Sequence, residues 1–161
     1  MESLQFVKLN ESLIGELAPM MKRAFDEDSR IHLGTPTGGP PGYDDGSFLR
    51  KYGLSKNATS YAVFESGVLV GGVILFIKDN GMNFLGNMFV DSQHSNKGLG
   101  TLIWRHVEQM FPSTKTWFTE TPIFAHRNHN FYINKCGFSC YKIKDPHNLK
   151  EGQFLLKKEM R

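Results

Sequence analysis

Apolar and polar residues alternate from Leu4 to Leu9, the period of a half-buried strand. The next apolar positions, Leu13, Ile14, Leu17, Met20, Met21, Ala24 and Phe25, fall at helical spacing, with Asn10 or Ser12 placed to cap. Pro19 lies inside that pattern and predicts a kink or a restart. Residues 34–46, GTPTGGPPGYDDG, break all periodicity: 8 of 13 positions are Gly or Pro, so a surface loop is expected. A short helix from Ser47 to Leu54 follows. Tyr61 to Glu65 and Val68 to Lys78 flank Ser66-Gly67 as a hairpin, and Asp79-Asn80-Gly81 turns the chain into a strand from Met82 to Val90.

Beyond the polar stretch DSQHSNKG, the residues Leu99, Leu102, Ile103, Val107 and Met110 form the apolar face of a helix that Pro112 ends. A strand (Lys115 to Glu120), a helix (about His126 to Cys136) and two strands (Phe138 to Asp145, Gln153 to Lys158) complete the order β-αα-βββ-α-β-α-ββ. A strand–helix–strand unit at the centre requires a parallel crossover. The fold class is therefore α/β (α+β): a central mixed, mostly antiparallel twisted sheet of about seven strands flanked by about four helices. At 161 residues, one domain spanning 1–161 is expected, large enough for its own core.

Composition narrows the classes. Hydrophobic residues at 40% and 13 Phe argue against disorder, and no apolar run reaches the length of a membrane span. MESLQFVKLN lacks the basic flank and apolar stretch of a signal peptide, so a cytoplasmic protein without membrane association is expected. Cys136 and Cys140 are too few for a disulfide framework, and His126-x-x-His129 has no evident third ligand, so no metal is expected. Net charge is +3, with residues 1–65 at 7 basic and 9 acidic side chains and residues 135–161 at 7 and 3. These scattered cations fall short of a nucleic-acid footprint.

The sharpest local feature is the strand ending Asn87-Met88-Phe89-Val90, followed by Ser95-Asn96-Lys97-Gly98-Leu99-Gly100-Thr101 at the start of a helix. Small residues at a strand-to-helix turn let backbone N–H groups converge where the helix dipole already favours an anion, and Lys97 adds a point charge. The pattern is neither the GxxxxGK[ST] loop nor the GxGxxG fingerprint. It resembles motif A of the GNAT superfamily of acyl-CoA-dependent N-acyltransferases, V-x-x-x-x-[QR]-x-x-G-x-[GA]: Val90, Gly98 and Gly100 fall in place, and Ser95 stands at the Gln/Arg position. The segment TETPIFAHRNHNFYINKCGF resembles motif B of the same family, with Asn128 and Gly137-Phe138 matched and one residue more than usual between Tyr and Gly-Phe. Counting forward from Asn128 places the motif's Tyr at Tyr132; counting back from Gly137 places it at Ile133. Only Tyr132 carries a proton to give.

The resemblance implies direct acetyl transfer from acetyl-CoA to a primary amine, with acetyl-CoA as acyl-donor co-substrate. Met88, Phe89, Val90 and residues 95–101 would hold the pyrophosphate and acyl carbonyl, Asn128 the pantetheine arm, Phe131 the groove wall, and Lys135 would sit near the adenosine phosphate. Tyr132 would protonate the departing thiolate. An attacking amine must lose a proton, and Glu120, at the strand end before motif B, is the candidate base. In this fold the acceptor pocket involves the first helices and the loop between them. That places Arg30, Tyr43, Asp44 and Asp45 at the acceptor, with the acids hinting at a cationic small-molecule or peptide amine. Two other readings stand beside this one: a non-catalytic acyl-CoA-binding module, and an acetyltransferase acting on charged tRNA. A homodimer is implied by family habit alone.

Overall fold

The computed structural model describes residues 3–94 and 98–161. Seven strands form one sheet in the order β1 (Leu4–Lys8), β2 (Thr59–Glu65), β3 (Val68–Phe76), β4 (Met82–Val90), β5 (Thr116–Pro122), β7 (Gln153–Glu159), β6 (Ser139–Lys144). Every neighbouring pair is antiparallel except β4 and β5, joined by the crossover helix α2 (Leu99–Met110). The sheet and its one parallel crossover are as the alternation and element order predicted.

Helix α1 (Glu11–Leu33) starts on Asn10, whose side chain accepts from Ser12 N at 3.0 Å, and ends on Gly34 in the left-handed region at φ +71°. It neither stops nor restarts at Pro19. A proline there withholds only the donor that would meet the carbonyl of Gly15, and tertiary packing of Ile14, Leu17, Ala18 and Met21 carries the helix past it. The two faces of the sheet hold separate cores. On one, α1 packs with Leu49, Ala62, Ile74 and Phe89; on the other, Trp104 and Val107 of α2 meet Val73, Leu75, Leu85 and Trp117. Among the described residues no helix is long and apolar enough to cross a membrane.

Two helical segments are wound as π turns. The short helix expected from Ser47 includes a π turn at Leu49–Gly53, closed by Leu54 N–H to Leu49 O at 3.1 Å. The helix expected at about 126–136 is an α turn, α3 (His126–His129), passing into a π turn at Asn130–Lys135. The Gly/Pro-rich loop is an ordered surface loop. Asp26 accepts from the Tyr43 hydroxyl at 2.6 Å and from Gly38 N at 3.1 Å, and Ser29 Oγ donates to Gly38 O at 2.8 Å.

Candidate active site

β4 and β5 are paired only from Met82–Phe84 against Thr116–Phe118; Thr119 Oγ1 then donates to Leu85 O at 2.9 Å, and beyond it the strands part. The parting begins at a bulge. Ile74 of β3 faces Asn87 and Leu75 faces Leu85, so Gly86 has no partner of its own. An added Cβ at Gly86 would lie 2.7 Å from the Phe76 ring, so the bulge requires glycine. Between the separated strands opens a cleft of about 340 Å³, bordered by Met88, Phe89 and Val90 on β4 and by Thr119 to Pro122 on β5. Facing edges that no ladder satisfies leave backbone groups free for a ligand.

The amino end of α2 lies at this cleft. Gly98 takes φ +73° with open space where a Cβ would stand, so glycine serves the backbone conformation there. Gly100 has a different reason: a Cβ would sit 3.0 Å from the ring of Phe131, so its bareness seats that ring between α2 and the second π turn. The first intrahelical bond runs from Leu102 N–H to Gly98 O at 3.2 Å, and among the described residues no side chain caps the helix. The N–H groups of Leu99, Gly100 and Thr101 therefore face the cleft without helical partners, a seat that fits a diphosphate. Ser95, Asn96 and Lys97 lie outside the described residues.

Asn128, Phe131, Tyr132 and Lys135 line the opposite wall. The π turn explains the residue surplus in this segment. Cys136 N–H reaches back five residues to Phe131 O at 2.9 Å, and Phe138 N–H six residues to Tyr132 O at 2.9 Å, with Gly137 at φ +88°. A wider turn absorbs the additional residue, so Phe131 and Tyr132 both face the cleft while Phe138 stays in the core. The Tyr132 hydroxyl makes no hydrogen bond with any described residue, and burial pushes its pKa well above the ordinary value. Glu120 lines the same cleft, exposed and free of any ion pair among the described residues. Thr121 Oγ1 and Asn87 Oδ1, also on cleft-lining residues, are buried without partners.

Arg127 bridges the mouth of the cleft, donating to Glu27 at 3.0 Å and Asp28 at 2.7 Å from the last turns of α1. Partial burial works against its charge, but the two carboxylates outweigh it and raise its pKa. At the far end of β4, Asp91 is buried and receives two bonds from Arg23 at 2.7 Å each. That guanidinium holds Asp91 below the usual carboxylate range against the opposing effect of burial. Neither ion pair had a sequence signal, because each joins residues distant in the chain and outside any motif.

The four residues expected at the acceptor are placed otherwise. Arg30 is exposed in the last turns of α1 and does not border the cleft. Tyr43 is buried, its hydroxyl committed to Asp26 and Gly38, and burial and then Asp26 push its pKa up to about 12. Asp45 caps the following turn, accepting from Ser47 N at 2.9 Å and Ser47 Oγ at 2.7 Å; Asp44 is exposed beside it. Tyr43 and Asp45 hold the loop in shape, and neither they nor Asp44 line the cleft. Cys136 packs in the core with its thiol pushed up to about 12 by burial, and among the described residues no group of three His, Cys, Asp or Glu could hold a metal.

With this geometry in view, comparison with known proteins is specific. The acetyltransferase (GNAT) family matches residues 21–138. An acetyltransferase from Thermus thermophilus shares the fold with a TM-score of 0.74 at 13% identity, over 98% of this chain and 97% of that one. The PaiA N-acetyltransferase from Thermoplasma acidophilum, solved in complex with coenzyme A, also gives 0.74, at 14% identity over 98% and 99%. At such identities the likeness is one of fold. An uncharacterized Bacillus subtilis (strain 168) protein, YrkN, is 35% identical over 92 residues, 56% of this chain; the match spans half the length of that relative.

Proposed function

The chain belongs to the acetyltransferase (GNAT) family, and from that premise we propose that it transfers an acetyl group from acetyl-CoA directly to a primary amine. The observation that carries the reading is the parting of β4 from β5, with the amino end of α2 facing the cleft and two groups suited to proton transfer, Tyr132 and Glu120, unpartnered among the described residues on its other walls. Bound there, acetyl-CoA would supply an activated acyl carbon and a thiolate leaving group. Gly98 to Thr101 would hold its diphosphate, Asn128 its amide arm, Phe131 would wall the groove, and Lys135 would meet the adenosine end. Within Met88 to Val90, which pair with β3 on one edge, the N–H groups that alternate toward the parted β5 edge would stabilise negative charge on the acyl oxygen.

Proton movement divides between two residues. Glu120, directly or through a water, takes the proton that the acceptor nitrogen must lose as the N–C bond forms. The Tyr132 hydroxyl stands where the sulfur would leave as the C–S bond breaks. Burial pushes the Tyr132 phenol above its ordinary value near 10, so it is a weaker acid than the thiol that leaves. It therefore holds its proton as a hydrogen bond to sulfur rather than surrendering it outright. The products are an amide and the thiolate of coenzyme A, which takes up from solvent the equivalent of the proton that Glu120 removes from the amine and releases.

The first test is the thermal midpoint with and without acetyl-CoA, against a Gly98→Trp control. Ligand at about 100 times its Kd adds roughly 2.7 kcal/mol, a rise of several degrees in wild type that the control should lose. Absence of a rise with acetyl-CoA, CoA or longer acyl-CoAs at millimolar concentration would sink the reading.

A further inference from the structure

Across the Gly86 bulge lies a second cavity, of about 290 Å³. Phe48 and Tyr52, flanking and within the first π turn, stand at 4.7 Å between ring centroids, and Phe76 and Phe84 from β3 and β4 at 6.4 Å. Ile74 completes an open apolar groove that no charged side chain lines. Its rim carries a cation: Lys51 Nζ sits 5.2 Å over the Tyr52 ring. Gly86 and Asn87 line this cavity and the acyl-transfer cleft alike, so the two meet at the bulge.

Asn87 supplies the polar observation. Its Oδ1 is buried with no hydrogen-bond partner among the described residues, at the place common to both cavities. A buried acceptor without a donor is costly and rare, and a turn of the half-buried Asn87 side chain toward the junction would let a ligand N–H satisfy it. The junction exists because residue 86 is glycine, whose missing Cβ would otherwise press on Phe76.

We propose that this cavity is the acceptor site and that its occupant is the ring of an aromatic monoamine, with the amine nitrogen at the Gly86–Asn87 junction donating to Asn87 Oδ1. The proposal rests on the transferase reading above and names its substrate class. Four aromatic side chains supply the apolar surface a ring would bury, and one acceptor oxygen supplies the orientation. A second ammonium would lie along an apolar groove with no carboxylate to meet it, beside Lys51, so polyamines and other polycations are disfavoured. The acids of the 44–45 loop, which had hinted at a cationic acceptor, do not line this cavity.

Titration calorimetry with 2-phenylethylamine and with spermidine, on free and CoA-loaded protein, tests the assignment. The expected result is binding of 2-phenylethylamine and weaker or absent binding of spermidine. Tyr52→Ala and Asn87→Ala should each weaken 2-phenylethylamine about tenfold, while Tyr52→Ala leaves CoA affinity within about twofold. Failure of 2-phenylethylamine to bind either form overturns the proposal. So does tighter binding of spermidine, or an affinity for 2-phenylethylamine that neither substitution changes. If 2-phenylethylamine binds with the expected losses but acetyl-CoA does not bind, the pocket assignment stands and the transferase reading falls.

Discussion

The molecule carries two π turns, one on each face of the sheet, and each brings aromatic rings to a cavity. At Leu49–Gly53 the turn stands against α1, with Phe48 and Tyr52 lining an open groove without charge. At Asn130–Lys135 it delivers Phe131 and Tyr132 to a cleft bordered by Glu120, Arg127 and the amino end of α2. The same local device thus serves opposite chemistries. A π turn spreads one additional residue over a helical turn and redirects the side chains around it. What the redirected rings meet decides the outcome: apolar strand residues on one face, backbone N–H groups and ionisable side chains on the other.

The sharpest way to break this contrast is to remove proton chemistry from one side alone. Glu120→Gln and Tyr132→Phe should each lower kcat by about a hundredfold or more, with the Kd of CoA from calorimetry little changed. A double variant that turned over at the wild-type rate would reduce the cleft to a place for binding and dissolve the distinction between the faces. Tyr132→Phe removes only the hydroxyl, so the packing of its ring against Phe131 and Phe138, at centroid distances of 5.1 and 5.7 Å, survives.

Next in size is a substitution that strikes the element common to both faces. Arg23→Ala would leave Asp91, 1% exposed, as an uncompensated charge at the end of β4. Because Arg23 is 37% exposed and Asp91 keeps the Gln93 N–H, the loss is about 2 kcal/mol, below that of a fully buried pair, and for a chain of this length it lowers Tm by roughly 5 °C. Asp91 is depressed in the folded state, so the pair's contribution is present above the unfolded carboxylate range and lost as pH falls through the folded pKa. Wild type and variant should therefore converge in stability under strong acid.

A smaller and more discriminating change is deletion of Asn134, which lies within the second π turn and bonds to the Asn130 side chain at 2.8 Å. The shortened segment should wind as an ordinary α-helix with thermal stability close to wild type, while turnover falls about tenfold because Tyr132 is turned relative to the cleft. Unchanged turnover would mean that the π turn is incidental to the placement of Tyr132.

These experiments also mark where the sequence was readable. The strands came from alternation, the crossover from element order, and the amino end of α2 from Gly98 and Gly100, because each follows from neighbours in the chain. The ambiguity between Tyr132 and Ile133 was itself informative: counting forward and counting backward disagreed by the residue that the π turn absorbs. The aromatic groove was illegible for a physical reason. Phe48 and Tyr52 come together with Phe76 and Phe84 only through a helix docked on the sheet and a bulge at Gly86, and neither feature has a local signature. Asp44 and Asp45 lie outside both cavities. An acidic pair on a loop stands out in sequence, yet the Asp45 carboxylate caps Ser47.

The smallest expected effect concerns how the two π turns begin. The first follows Asp45, a carboxylate held below its ordinary range by the Ser47 hydroxyl and N–H, and so ionised throughout the working pH range. The second begins beside His32, which stacks on His126 at 5.7 Å between ring centroids, while His126 stacks on His129 at 5.5 Å. His32 Nε2 is buried without a partner, and burial lowers the pKa of this histidine; Asp28 opposes that shift, and Arg127, His126 and His129 reinforce it. Between its folded pKa and the unfolded value near 6.5, the unfolded chain binds more protons at this site than the folded one. Stability must therefore rise with pH through that window and fall as His32 is forced to charge. His32→Phe should flatten this part of the Tm-against-pH curve while leaving the acid limb governed by Asp91 in place. If the slope of the curve between pH 5 and 7 were the same in both proteins, His32 would not be its source, and the difference between the starts of the two turns would be one of packing alone.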